Sequence, residues 1–397
     1  MARVPPNGRV PIPRTVWALG FVSMFMDISS EIIHALLPMF LTATLGVSVA
    51  MVGLIDGVAE ATASITKVFS GYLSDRMGKR KPLILVGYGP GSLSKPLFAL
   101  AGTVPVIMGA RFADRIGKGL RGAPRDALVA DVTPPEIRGR AFGLRQSIDT
   151  LGAFLGPLIA IAAMAAFANN MRAVFWLAVI PAIIAVLLVL VGVEDTKRPA
   201  SESSARIPVQ IADLRRLPRA YWSLVAIGAV FTLARFSEAF LILKANAEGL
   251  PLALTPLVLV AMNAVYMLAA YPLGSLSDRV SAKTMLIGGL VVLIAADLAL
   301  AVLPGIAGAF VGIALWGVHM AATQGLFAKL VADRSAPALF GSAYGIFNLV
   351  TGAALLAASV IAGIVWDAAG PAMTFIVGAN CAGLALAGLL LTRGNDK

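Results

Sequence analysis

Gly71–Lys81, "GYLSDRMGKRK", has a second copy at Gly274–Lys283, "GSLSDRVSAK". Both copies follow a long apolar run, and both keep the glycine, leucine, serine, aspartate and arginine in register. The match continues outward. "ALVAD" (Ala127–Asp131) recurs as "LVAD" (Leu330–Asp333), and "AFGLRQSIDTLGAFLGP" from Ala141 aligns with "AYGIFNLVTGAALLAAS" from Ala343. The offset stays near 202–203 residues (71 to 274, 128 to 330, 141 to 343). A constant offset over separated stretches marks a duplication, so the chain is two related halves.

What the halves are made of follows from composition. Of 397 residues, 58% are hydrophobic and 13% charged; soluble domains carry about 25% charged residues. Apolar runs of about 20 residues recur from Thr15 to Leu391, the length that crosses a bilayer. The expected spans are 15–44, 50–72, 82–102, 104–126, 140–166 and 171–193, then 219–244, 252–277, 284–303, 306–330, 337–365 and 369–392. The fold class is therefore an all-α membrane protein with twelve transmembrane helices in two pseudo-symmetric six-helix bundles. The bundles cover residues 1–194 and 219–397. Residues 195–218, rich in Pro, Ser and charge, form the expected cytoplasmic linker, within which "IPVQIADLRRL" could lie on the membrane surface as an amphipathic helix.

Net charge is +11, which in a soluble chain would suggest nucleic acid. Here the basic residues crowd into alternate loops: Arg76 to Lys81, Arg138 and Arg140, Lys197 to Arg219, Arg279 and Lys283. That is the positive-inside pattern, with both termini cytoplasmic in the inner (plasma) membrane and no nucleic-acid partner. Trp17, Trp176, Trp222 and Trp366 fall near span ends, as an aromatic belt requires. The lone Cys381 excludes an internal disulfide. The basic, proline-rich start shows no small-residue cleavage site and reads as a cytoplasmic tail.

Gly71–Lys81 meets every position of Gly-x-Leu-(Ser/Ala)-Asp-Arg-x-Gly-(Arg/Lys)-basic-basic and resembles the loop 2–3 signature of the major facilitator superfamily. The second copy departs from it at Ser281, where a glycine is expected. The resemblance spans the whole chain. It implies a conformational latch built from Gly71, Asp75, Arg76 and Gly78, with Arg138 or Arg140 as partner of Asp75, and Asp278 and Arg279 in the second copy. On their own terms, Gly71 permits close helix contact and Asp75 can cap a helix and pair with arginine. In the fifth span, Gly143, Gly152, Gly156 and Pro157 resemble the glycine-proline motif of superfamily antiporters, although Ala160 and Ile161 stand where it continues with glycines. Small residues there allow helix packing. "RIGKG" around Arg115 resembles the fourth-helix arginine motif, with Lys118 in place of glutamine.

Ionisable residues inside spans are the candidate binding groups. Asp27, Glu31 and His34, spaced four and three apart, share one face of the first helix. At about 1.5 Å rise per residue, Asp27 and Arg115 lie near mid-membrane, with Glu60 and His319 at similar depth. Asp149 and Asn348 lie somewhat to the cytoplasmic side; Arg235 and Glu238 lie somewhat to the other. Arg111 sits one turn from Arg115. Bland roles compete: Arg145 and Asp149 could neutralise each other, Glu60 could pair with Lys67, and His319 could be a packing histidine. Asp27 and Glu31, of like sign and one turn apart, cannot both ionise comfortably, which would suit a proton carrier.

The resemblance implies a secondary active transporter working by alternating access, not an enzyme. No phosphate loop appears, and no cofactor is expected. Basic residues opposite the first helix favour a small anionic or amphipathic organic solute, bound through carboxylate or phosphate and exchanged for protons in an exporting antiport. The partners are then that solute, protons and the lipid bilayer, with the chain acting as a monomer. The alternative is a divalent metal ion transporter using Asp27, Glu31 and His34 as ligands; a non-transporting receptor is a third class.

Overall fold

The computed structural model describes residues 11–77, 79–195, 214–277, 279–323, 326–336 and 339–391. Gly78, Asp278 and most of the linker lie outside that set. All regular structure among the described residues is helical. The first bundle comprises α1 (Arg14–His34), α2 (Val49–Met77), α3 (Lys81–Leu100), α4 (Val104–Val132), α5 (Arg138–Ala166) and α6, in two pieces (Met171–Leu177 and Val179–Gly192). The second comprises α7, also in two pieces (Arg219–Leu233 and Ala239–Ala247), α8 (Leu257–Ser277), α9 (Ala282–Val302), α10 (Gly305–Thr323, with Leu326–Asp333 after it), α11 (Phe340–Ala369) and α12 (Pro371–Leu391). Each helix reverses direction. Arg14, Gly192, Arg219 and Leu391 therefore share one side, here the linker side, and the turns at Gly46, Gly249 and Gly370 share the far side.

Nine helical segments among the described residues are long and apolar enough to cross a membrane. The exceptions are α3, α4 and α7. In α4 the reason is charge: Arg111, Asp114, Arg115 and Arg121 are all buried, so the helix is shielded from lipid by its neighbours rather than by its own composition.

Three expected spans are broken. Residues 15–44 do not form one helix: α1 ends at His34, and a short turn (Leu37–Met39) and a π-helical turn (Phe40–Thr44) follow. Pro38 has no N–H to give the carbonyl of residue 34, and its ring crowds that carbonyl. Pro181 breaks α6 after Leu177 in the same way. No proline explains the break at 234–238 in α7. There side chains take over the freed backbone groups: Ser359 Oγ accepts from Ser237 N (3.3 Å), and Ser237 Oγ accepts from Ala239 N (3.1 Å).

The glycines of α5 seat it on α1. A Cβ on Gly152 would come within 2.8 Å of Met24 Cα, and one on Gly156 within 2.6 Å of Glu31 Cβ. Pro157 lies inside the helix beside them. Gly143 plays no such part: it is exposed, and nothing lies within 4 Å of its Cβ position. The packing expected of four residues belongs to the far-side half of α5.

Between the bundles, α2 and α11 run antiparallel in close contact. A Cβ on Gly57 would lie 2.9 Å from Leu356. At the far-side end, Asp367 of α11 accepts from the first backbone amides of α2, Val49 N (3.1 Å) and Ala50 N (2.8 Å). The carboxylate caps a helix of the other bundle and favours its positive end. Deeper, Ser237 of α7 donates to Asp56 of α2 (2.8 Å). These bonds hold the far side shut. Asp367→Ala should open it: the lost cap is worth about 0.5–2 kcal/mol, so a cysteine placed at Val49 should react several-fold faster with a membrane-impermeant thiol reagent than in the parent. An unchanged rate would show that the cap bears no closing load.

Candidate functional site

A cavity of about 480 Å³ lies between the bundles, within the size range of small-ligand sites. Its floor, toward the far side, is Asp56, Ser237 and Ser359; toward the linker side it reaches Lys118 and Phe327. Its two walls differ in chemistry. The first bundle contributes Glu31 and His34 from α1, Asp56 and Glu60 from α2, and Arg111, Arg115 and Lys118 from α4. The second contributes an aromatic wall, Phe231 and Phe236 from α7, Phe327 and Phe347, interrupted by Arg235 and Glu238 at the break in α7. Unwound backbone at this depth is tolerated because it lines a cavity.

Most charges of the first wall are already matched. Arg111 donates to Asp56 (3.1 Å), and Arg115 pairs with Glu60 (3.0 Å) and Asp114 (3.6 Å). Behind them, Lys95 of α3 donates to Asp114 (2.7 Å) and Ser30 (3.0 Å). Glu31 and His34 share a hydrogen bond of 3.4 Å. The arginine wall expected to be free for an anion is therefore largely neutralised. Among the described residues, the cavity-lining charges with neither an ion pair nor a side-chain hydrogen bond are Lys118, Arg235 and Glu238.

The expected site residues separate into groups. Glu31, His34, Glu60, Arg111, Arg115, Arg235 and Glu238 line the cavity; Asp27, Asp149, His319 and Asn348 do not. The three-rung ladder thus divides. Asp27 lies off that lining, and the charges acting on it are those of Asp149, Lys118, Arg121 and Glu31. Asp149 lies within reach of Arg125 (3.6 Å) and Arg145 (3.8 Å), so the neutralising role weighed for it accounts for its contacts. Glu60 pairs with Arg115 and not with Lys67. His319 is fully buried between Phe231 and Trp316, its Nδ1 bonded to the Gly289 carbonyl (2.7 Å). It fits the packing histidine. Asn348 is replaced on the wall by its α11 neighbours Phe347 and Thr351.

Of the latch residues, Gly71 faces Ala123 of α4 without needing to be a glycine: a Cβ there would lie at an ordinary 3.5 Å from Ala123 Cβ. Arg138 donates to the Thr133 carbonyl (3.4 Å), and Arg140 and Arg279 are exposed. The side chains of Asp75 and Arg76, and Gly78 and Asp278 entirely, lie outside the described set. The basic end of the signature is held by its own bundle and the first residue of the linker: Arg80 reaches Asp131 (3.4 Å) and Ser74 (2.6 Å), and Asp195 accepts from the backbone of Arg80 (3.1 Å) and Lys81 (3.3 Å).

Sequence reasoning passed over Lys95, Ser237 and Asp297. A lysine in the apolar run of α3 was a legible signal for the first. Ser237 carried none. Asp297 of α9 is fully buried, and neither carboxylate oxygen has a hydrogen-bond partner among the described residues; it stands in an apolar run as Lys95 does.

The helices, the paired halves and the central cavity have a counterpart in known proteins. The model of the Major Facilitator Superfamily matches residues 19–359. The chain belongs to that superfamily. An uncharacterised MFS-type transporter of Methanocaldococcus jannaschii is 31% identical over 96% of this chain and 94% of its own. The quinolone resistance protein NorA of Staphylococcus aureus is 26% identical over 55% of this chain and 54% of its own. Among solved structures, the human organic anion transporter MFSD10 aligns over 96% of this chain and all of its own at a TM-score of 0.69 and 17% identity, a likeness of fold.

For this superfamily transporter, then, the cavity between the bundles is the candidate solute site. Its extent is testable by cysteine scanning in a Cys381→Ser background. Cysteines at Lys118 and Glu60 should be modified by a thiosulfonate reagent supplied to the linker side, while cysteines at His319 and Asp297 should stay unmodified. Rapid labelling at 319 or 297 would place the water path inside the second bundle.

Proposed function

We propose that this transporter moves a small amphipathic organic solute carrying an acidic group, by alternating access, in exchange for protons. The observation that carries the proposal is the pairing pattern of the cavity. With Arg111 and Arg115 matched, Arg235 and Lys118 are the cations left to hold an anionic group, and Arg235 can do so bidentately. The aromatic residues around Arg235 supply the apolar surface for the rest of the molecule. The likeness in sequence to a protein named for quinolone resistance supports an organic solute and an exporting direction.

Orientation comes from the loops. With the basic residues inside, the linker side is cytoplasmic, the membrane is the inner one, and the boundaries at 194 and 219 separate the two bundles of a monomer. The far-side closure through Asp367 and Asp56 then makes this the inward-facing arrangement. The signature around Asp75 acts as the latch of the opposite state.

The metal ion alternative loses ground. Asp27 is not among the cavity-lining residues, the His34 Nδ1 is engaged by Glu31, and no three His, Cys, Asp or Glu side chains converge within metal reach among the described residues.

Dividing the ladder assigns its rungs. Glu31 borders the cavity and faces solute; Asp27 lies behind it among the charges of α4 and α5 and is the proton carrier. Solute and proton then bias one charge cluster from two sides, which is a coupling free energy. In proteoliposomes, Asp27→Asn should abolish uptake driven by a pH gradient while leaving gradient-independent exchange within about twofold. Glu31→Gln should weaken exchange itself. Full gradient-driven transport in both variants would remove the proton from this cluster.

A further inference from the structure

Arg235 and Glu238 stand three residues apart on the unwound segment of α7, both facing the cavity, and neither has an ion pair among the described residues. Every other carboxylate on the wall has a partner: Asp56 has Arg111, Glu60 has Arg115, and Glu31 has a hydrogen bond to the His34 ring. The lining carries four carboxylates (Glu31, Asp56, Glu60, Glu238) and four cations (Arg111, Arg115, Lys118, Arg235). With His34 neutral the wall is balanced, with no excess of positive charge.

An unpaired charge in a partly desolvated site is costly until it meets its opposite. A solute bearing only an acid satisfies Arg235 and leaves Glu238 facing the same bound molecule as a repelling charge. A solute bearing only an amine does the reverse. A molecule with both groups satisfies both. Though not within ion-pair distance, each side chain feels the charge of the other, so the two charges of a solute that meets both are close together, as in an amino acid. The neighbouring aromatic rings, Phe231, Phe236, Phe327 and Phe347, are placed to take an apolar side chain.

We infer that the solute is a zwitterion, with its acidic group on Arg235, its ammonium on Glu238 and its apolar body against the phenylalanines of α7, α10 and α11. This rests on the organic-solute reading above and narrows it. Lys118, at the linker-side mouth, is the cation the solute passes on its way in.

The test is a matched series of probes on the full-length transporter in lipid nanodiscs, with affinity read from the concentration dependence of thermal unfolding. Phenylalanine and leucine are the zwitterions. 3-Phenylpropionate and 4-methylpentanoate keep the acid and body; phenethylamine and 3-methylbutylamine keep the amine and body. At least one zwitterion should bind about tenfold or more tighter than its acid and its amine, tenfold being the equivalent of about 1.4 kcal/mol. Glu238→Gln should make that zwitterion no tighter than its acid, and Arg235→Gln no tighter than its amine, with Arg235→Lys partly restoring the preference. The wild-type series decides the question even where a variant fails to fold. An acid that binds as tightly as its zwitterion overturns the inference and leaves the anion reading standing. No binding by any member of either body overturns both.

Discussion

A charge buried in the membrane-spanning part of a protein must find a counter-charge, and α4 carries more charge than any other helix among the described residues. Bare, each such ion would lose an idealised hydration energy of order 20 kcal/mol. The rest of the first bundle is arranged around that demand. Asp56 and Glu60 of α2 meet Arg111 and Arg115. Lys95 of α3 meets Asp114. Asp149 of α5 lies within reach of Arg125. Each neighbour of α4 contributes an ion of the sign it needs, so an amphipathic, charged helix can occupy the centre of a membrane protein.

The second bundle is built the other way. Its cavity wall is aromatic, and its two charges there come from a helix that has stopped being a helix. Unwinding at 234–238 turns Arg235 and Glu238 toward the opening while Ser237 bonds across to Asp56. Asp56 thereby serves two purposes: it neutralises Arg111 within its own bundle and holds the floor of the cavity to the other. A solute arriving at the α7 segment touches the same element that closes the far side, a physical route from binding to opening.

The architecture was legible because it rests on length and repetition: twenty-residue apolar runs and a duplicated signature survive any detail of packing. The breaks at Pro38 and Pro181 were legible in principle, since each falls four residues after the last helical carbonyl it displaces. The break in α7 was not, because one of the side chains that stabilise it, Ser359 of α11, is remote in sequence. The candidate site was half legible. Depth along a helix can be counted, and it brought Glu60 and Arg115 to one level, with Arg235 and Glu238 somewhat to the far side. Rotation about the helix axis cannot be counted as reliably, and that is where Asp27, His319 and Asn348 departed from the cavity. Pairing was the least visible. Two arginines look free in a sequence, and only the contacts of α2 show that they are spent on Asp56 and Glu60.

The central claim is that the α4 charges act as matched pairs, leaving the α7 charges for the solute. The most direct measurement is a double-mutant cycle on Asp56 and Arg111, by thermal or denaturant unfolding in nanodiscs. Either Asp56→Asn or Arg111→Gln alone leaves one buried ion without its partner and should cost about 3–5 kcal/mol. The double variant removes both ions and should recover at least half of the summed loss, as interacting neighbours do. Losses that simply add would mean that the two residues are stabilised separately, and the pairing account of the cavity would be wrong.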